Sequence, residues 1–321
     1  MKLDLTERRF AEVVGDGLYR IDTLYVRPGL VASHLLVSEG RAAFVDTGAA
    51  PALPRLLGAL DELGLAREHV ALLILTHVHL DHAGGAGQLL AALPNARAVV
   101  HPRGAPHLID PAKLVAGTVE VYGREAYERL YGELLPIPAE RVHVVADGER
   151  LKLGSRTLEF IDTPGHARHH CCIVDHESRR VFAGDTFGIA YREFDTAAGP
   201  FVFPTTTPVQ FDPEALHASV DRIMGYRPEQ VVMTHFGPVG DVERLAYDLH
   251  AAIDAAVGIA RRHADAPDRV ARMEGEMFED LSTRLATHGY TGDAARRHAF
   301  LDDDIRLNVA GLEVWLNRAR T

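Results

Sequence analysis

Short apolar runs alternate with stretches of helical spacing along most of this chain. Residues 17–26 alternate in polarity, and 31–37 and 42–45 follow, set apart by Pro28-Gly29 and Glu39-Gly40; all three predict strands. Residues 51–63 repeat at helical spacing and stop at Gly64. The run Ala-Leu-Leu-Ile-Leu at 71–75 is continuously apolar, as expected of a strand buried on both faces. A helix is expected over 87–93 and a further strand over 97–101. Alternation of this kind predicts an α/β layered architecture.

Residues 104–138 break the rhythm. They are helical in parts, carry Tyr122, Tyr127 and Tyr131, and are bounded by prolines, so they read as an insertion near the sheet edge. Its tyrosines either pack on the body or wall a substrate cleft. Strands resume at 142–145, 150–153 and 158–161, then 171–174 and 180–182 as a hairpin, and 230–233. Beyond Asp241 the pattern is amphipathic and strand-free, with helices over 242–263, 269–288 and 304–318. The expected organisation is a catalytic domain over 1–241 followed by a helical extension over 242–321.

The chemistry sits where the strands stop. The 71–75 run ends in Thr76-His77-Val78-His79-Leu80-Asp81-His82, four metal-capable side chains within six positions. Imidazoles and carboxylates are ordinary ligands for zinc and its neighbours, and a His-rich strand end is a poor way to build a core. Three later strands also end in ligand-type residues: at Thr163-Pro164-Gly165-His166, at Gly184-Asp185-Thr186 and at Thr234-His235. Asp46, before Thr47-Gly48, closes an earlier strand, where a turn or cap would also explain it.

Composition narrows the partners. A net charge of −11 argues against a nucleic-acid backbone, whose binders carry a basic face. No apolar run approaches the roughly 18 residues of a membrane span, and the first ten residues show no secretory h-region. The adjacent Cys171 and Cys172 are badly placed for a disulfide and read as buried thiols. Together these predict a cytoplasmic protein.

The set THVHLDH at 76–82, TPGH at 163–166, GDT at 184–186 and TH at 234–235, with VDTG at 45–48, resembles the metallo-β-lactamase-fold hydrolase superfamily over roughly 17–240. The resemblance implies an αββα sandwich, with the helical extension outside the common core. It implies one metal held by His77, His79 and His166 and a second by Asp81, His82 and His235, with Asp185 bridging and Asp46 orienting a ligand imidazole. Two divalent ions are expected, zinc first, with iron or manganese accepting the same donors. The implied activity is hydrolysis of a small ester, lactone or thioester by a metal-bridging hydroxide. Asp81 would pass a proton to the leaving group.

Tyr191 is a further candidate, as an oxyanion donor, although lactonase-type relatives place such a tyrosine closer to the bridging aspartate. It opens a run of five aromatics in 21 positions, with Phe194, Phe201, Phe203 and Phe211, that either form an apolar lip or anchor a long loop. No basic cluster with tyrosine matches a glutathione site, which leaves the thioester open. A non-haem iron oxygenase or oxidoreductase on the same fold, a phosphodiesterase or nuclease, and a metal-retaining regulatory protein are the competing readings. The amphipathic tail suggests docking on its own domain or a homodimer.

Overall fold

The computed structural model describes residues 9–206 and 209–319. Residues 1–8, which bear on the secretory-segment expectation, and the last two residues of the extension lie outside them. The chain divides into two compact units. The first takes the chain up to Ile161 together with Ile173–Ser178, and the second takes Asp162–Cys172 and everything from Arg179 on. The 242–321 helices thus group with the segments around 162–172 and 179–241.

The first unit begins with strands β1 (Glu12–Gly15), β2 (Leu18–Asp22), β3 (Ala32–Ser38) and β4 (Arg41–Val45), helix α1 (Leu53–Glu62) and strand β5 (Val70–Ile74). There follow α2 (Leu80–Ala83), α3 (Ala86–Ala92), β6 (Arg97–Val100), α4 (Ala105–Ile109), α5 (Ala112–Tyr122), α6 (Arg124–Tyr131) and β7 (Val142–Val144). These seven strands form one sheet in sequential order, β1 to β4 antiparallel and β4 to β7 parallel. The sequence pattern does not announce β1, because its EVVG is half exposed and carries no alternation.

Parallel register decides where the chemistry goes. Val45 pairs with Ile74 and Ile74 with Val99, so β4, β5 and β6 finish level. The carboxyl ends of such strands are where α/β sheets present their ligands. Beneath this edge Phe44, Leu73, Leu75, Leu89 and Leu90 are sealed in one core with α1 and α3. Each such side chain contributes roughly 1.5–3 kcal/mol by burial. The insertion packs on the body through Tyr127 and Tyr131, 4% and 5% exposed, against Ala49 and Leu80, with Tyr131 stacked on Tyr25.

Next along the chain come strands β8 (Arg150–Leu153), β9 (Arg156–Asp162), β10 (Cys171–Asp175), β11 (Arg180–Gly184) and, after helix α7 (Pro213–Gly225), β12 (Gln230–Met233). Within the first unit β8 and β9 form an antiparallel pair. Within the second, β11 and β12 run parallel with Gly184 level with Met233. Asp185 and Thr234-His235 therefore leave the sheet side by side.

Helices α8 (Val242–His263), α9 (Arg269–Thr287) and α10 (Ala294–Ala319) complete the second unit. Leu245, Leu249, Ile253 and Val257 line the buried face of α8, and Met273, Met277, Leu281 and Leu285 that of α9. α10 begins ten residues before the expected 304, because Asp293 accepts a hydrogen bond from the Arg296 amide and caps the turn. α7 has no counterpart among the expected elements, although Asp212 caps it through Ala215 N–H and Pro213 opens it. Among the described residues no helix is long and apolar enough to cross a membrane.

Candidate metal centre

In the first unit, β5 delivers His77, His79, Asp81 and His82 into a loop and one short helix, α2. The imidazoles crowd together: ring centres of His77 lie 4.5 Å from His79 and 4.1 Å from His82. His82 Nε2 is 3.5 Å from Asp81 Oδ2. His77 and His82 are fully buried, whereas the Asp81 side chain is 23% exposed.

Asp46 organises this loop from the end of β4. Its Oδ1 accepts from the Thr76 amide at 2.8 Å, both its oxygens accept from the Thr76 hydroxyl, and Oδ2 meets His82 Nδ1 at 2.9 Å. It does so from a left-handed backbone, φ 56°, a conformation aspartate tolerates better than most residues. A carboxylate thus holds Nδ1 of His82, and Nδ1 of His77 lies 3.2 Å from the Thr76 hydroxyl.

The second unit holds His166, Asp185 and His235. His166 Nδ1 donates to the Thr205 carbonyl at 3.3 Å, and its Nε2 lies 3.4 Å from Asp185 Oδ2. His235 Nε2 lies 3.6 Å from Asp185 Oδ1. One carboxylate thus presents each oxygen to a different imidazole. The His166 turn depends on Gly165: at φ 131°, a Cβ there would stand 2.4 Å from the α7 backbone at Leu216. The Asp212 amide at the start of α7 donates to Gly165 O at 2.8 Å.

His170 stands out in the sequence only by lying four residues past His166. It is fully buried, and its Nε2 accepts from the Asp185 amide at 3.3 Å. Nδ1 therefore carries the hydrogen, toward the Thr163 and Thr186 hydroxyls at 2.8 and 3.1 Å. Thr163 also donates to Cys172 Sγ at 3.2 Å. Burial pushes the Cys172 thiol up to about 12, and both cysteines are buried thiols.

The Tyr191 hydroxyl donates to both carboxylate oxygens of Asp304 on α10, at 3.2 and 3.0 Å, and the residue is fully buried. The aromatics after Asp185 are core rather than a lip. Phe194 packs edge-on to Tyr290 and Phe300, and Phe211 to Trp315.

Each unit carries donors ordinary for divalent metals, three imidazoles and a carboxylate in the first and two imidazoles and a carboxylate in the second. A model of the metallo-beta-lactamase superfamily matches residues 26–235. The chain belongs to the metallo-beta-lactamase superfamily. A hydroxyacylglutathione hydrolase of Xanthomonas euvesicatoria is 29% identical to this superfamily member over 257 residues, covering 80% of this chain and 78% of that protein. An acyl-coenzyme A thioesterase of Bos taurus is 29% identical over 54% of this chain and 64% of its own length. In fold, a metallo-beta-lactamase family protein of Thermus thermophilus aligns with TM-score 0.66 at 23% identity, covering 96% of this chain and 95% of that one.

Proposed function

We propose that this superfamily member is a dinuclear-metal hydrolase of a small thioester or ester. The carrying observation is Asp185, whose two oxygens stand beside two different imidazoles, as a carboxylate shared by two ions requires. His77, His79 and His166 would hold one ion and Asp81, His82 and His235 another, with Asp185 offering its oxygens beside His166 and His235. When bound, two divalent ions supply a hydroxide near neutral pH and polarise the scissile carbonyl.

The protein's own groups do the rest. Asp46 and the Thr205 carbonyl hold the Nδ1 sides of His82 and His166, which fixes the tautomers that ligate. His170 anchors the backbone of Asp185. Asp81, less buried than the other carboxylate ligand, accepts the proton of the attacking water and returns it to the departing thiolate or alkoxide. The names of the hydroxyacylglutathione hydrolase and the thioesterase support a thioester in particular.

The test is metal content together with thiol release. Two zinc, iron or manganese ions per chain and turnover of S-acylglutathiones or acyl-coenzyme A are expected. One iron per chain with thiol-dependent oxygen uptake would favour an oxygenase. Cleavage of bis-nitrophenyl phosphate alone would favour a phosphodiesterase.

A further inference from the structure

α10 buries Leu301, Ile305, Val309, Leu312 and Leu316, an apolar stripe at helical spacing. A polar residue, Asn308, stands in it at 4% exposure. A buried amide in such a stripe is costly unless both its ends are satisfied. Here they are. Asn308 Oδ1 accepts from the Thr206 amide at 2.7 Å, Nδ2 donates to the Pro204 carbonyl at 3.1 Å, and the Asn308 carbonyl accepts from the Thr206 hydroxyl at 2.9 Å. Three bonds thus grip the residues on either side of Thr205, and Thr205 is the residue whose carbonyl receives the hydrogen of His166 Nδ1.

We propose that Asn308 is a positioning residue for the His166 metal ligand, acting through the Pro204–Thr206 segment. The inference rests on the metal reading above. The amide fork is the required chemistry, because one side chain must accept from an N–H and donate to a C=O. Aspartate would set a carboxylate oxygen against the Pro204 carbonyl, and leucine would orphan both backbone groups. One turn earlier on the same helix face, Asp304 receives the Tyr191 hydroxyl. Residues 189 and 203 are joined by an antiparallel bridge, Ile189 N–H to Phe203 O at 2.9 Å and the reverse at 3.1 Å. α10 therefore fastens both arms of the segment that leads away from Asp185. In this way the C-terminal helix sets the direction from which His166 reaches an ion.

The test compares Asn308→Ala, Asn308→Asp and Thr206→Val with Leu312→Ala, which loosens α10 without touching the fork. Affinity for zinc is read by chelator competition, and ligand geometry by the absorption spectrum of the cobalt-loaded protein. Loss of an outer partner of a ligating histidine typically weakens metal binding about 10–100-fold. Asn308→Ala and Asn308→Asp should lose at least about tenfold for one of two ions, with a changed cobalt spectrum. Thr206→Val, which keeps the backbone bonds, should lose less, and Leu312→Ala should lower the melting temperature but keep the spectrum. Unchanged affinity and spectrum in both Asn308 variants would overturn the inference. So would an equal loss in Leu312→Ala. A wild-type chain that takes up no metal would instead overturn the metal reading, and this inference with it.

Discussion

Oδ2 of Asp46 stands 2.9 Å from Nδ1 of His82, with both side chains sealed from solvent. The contact joins the end of β4 to α2, while the same carboxylate holds Thr76 just past the end of β5. Asp46→Ala would leave His82 Nδ1 and the Thr76 amide without this acceptor, a cost of about 1–3 kcal/mol for each buried group. Asp46→Asn keeps the shape but offers an amide group where an acceptor is needed. It should weaken binding of the ion held by His82 by about 10–100-fold. Zinc competition with a chromophoric chelator measures this, and retention of both ions at wild-type affinity would refute it.

Asp81→Asn should separate binding from turnover. The amide oxygen can still ligate but cannot carry a proton, and lost general acid–base catalysis typically costs about 10²–10⁴-fold. Metal content should fall by less than half while kcat drops by about 10²-fold or more. Equal losses of the two would reduce Asp81 to a ligand.

Tyr191→Phe deletes the hydroxyl that Asp304 receives. A hydrogen bond to a charged group is worth about 1.5–3 kcal/mol, so stability should fall by about that amount. Once folded, the variant should keep kcat within about threefold, since its ring still packs against Phe203. Denaturant titration and steady-state kinetics measure the two separately. A hundredfold loss of kcat at unchanged stability would give Tyr191 the oxyanion role.

Cys172 supplies a pH prediction with a definite sign. Its folded pKa is raised from 9.0 to about 12 by burial, so between these values the unfolded chain has lost a proton that the folded chain retains. Stability from this group is complete below about pH 9 and declines as the pH rises toward 12. Cys172→Val should move the alkaline unfolding midpoint upward. The native protein should also leave Cys172 unreactive toward Ellman's reagent at pH 8, and rapid labelling without unfolding would contradict this.

Much of the architecture is legible in the sequence because ligand residues punctuate apolar runs. A buried strand such as 70–74 shows itself by continuity, and His77, Asp185 and His235 stand out because polar side chains abruptly follow such runs. The seven ligand-type residues follow strands β5, β9, β11 and β12 along the chain. Registers and helix starts are harder to read. α7 and the first turns of α10 depend on Asp212 and Asp293 as caps, single residues that also occur in ordinary turns. Nothing local marks Tyr191 as the partner of Asp304, 113 positions away, or Asn308 as the clamp on Thr206, 102 positions away. Those pairings are products of tertiary packing, and the aromatics that suggest a substrate lip are the core that brings them about.

The same separation sets a timetable for the newborn chain. Ribosomes add about 5–20 residues per second, so Asp304 and Asn308 are synthesised roughly 5–20 s after the segment they fasten. During that interval His166 and Asp185 already exist, but the strap that directs His166 does not. On the proposed reading, ions that bind early would meet a ligand still free to swing, and the C-terminal helix would close as a latch after loading has become possible.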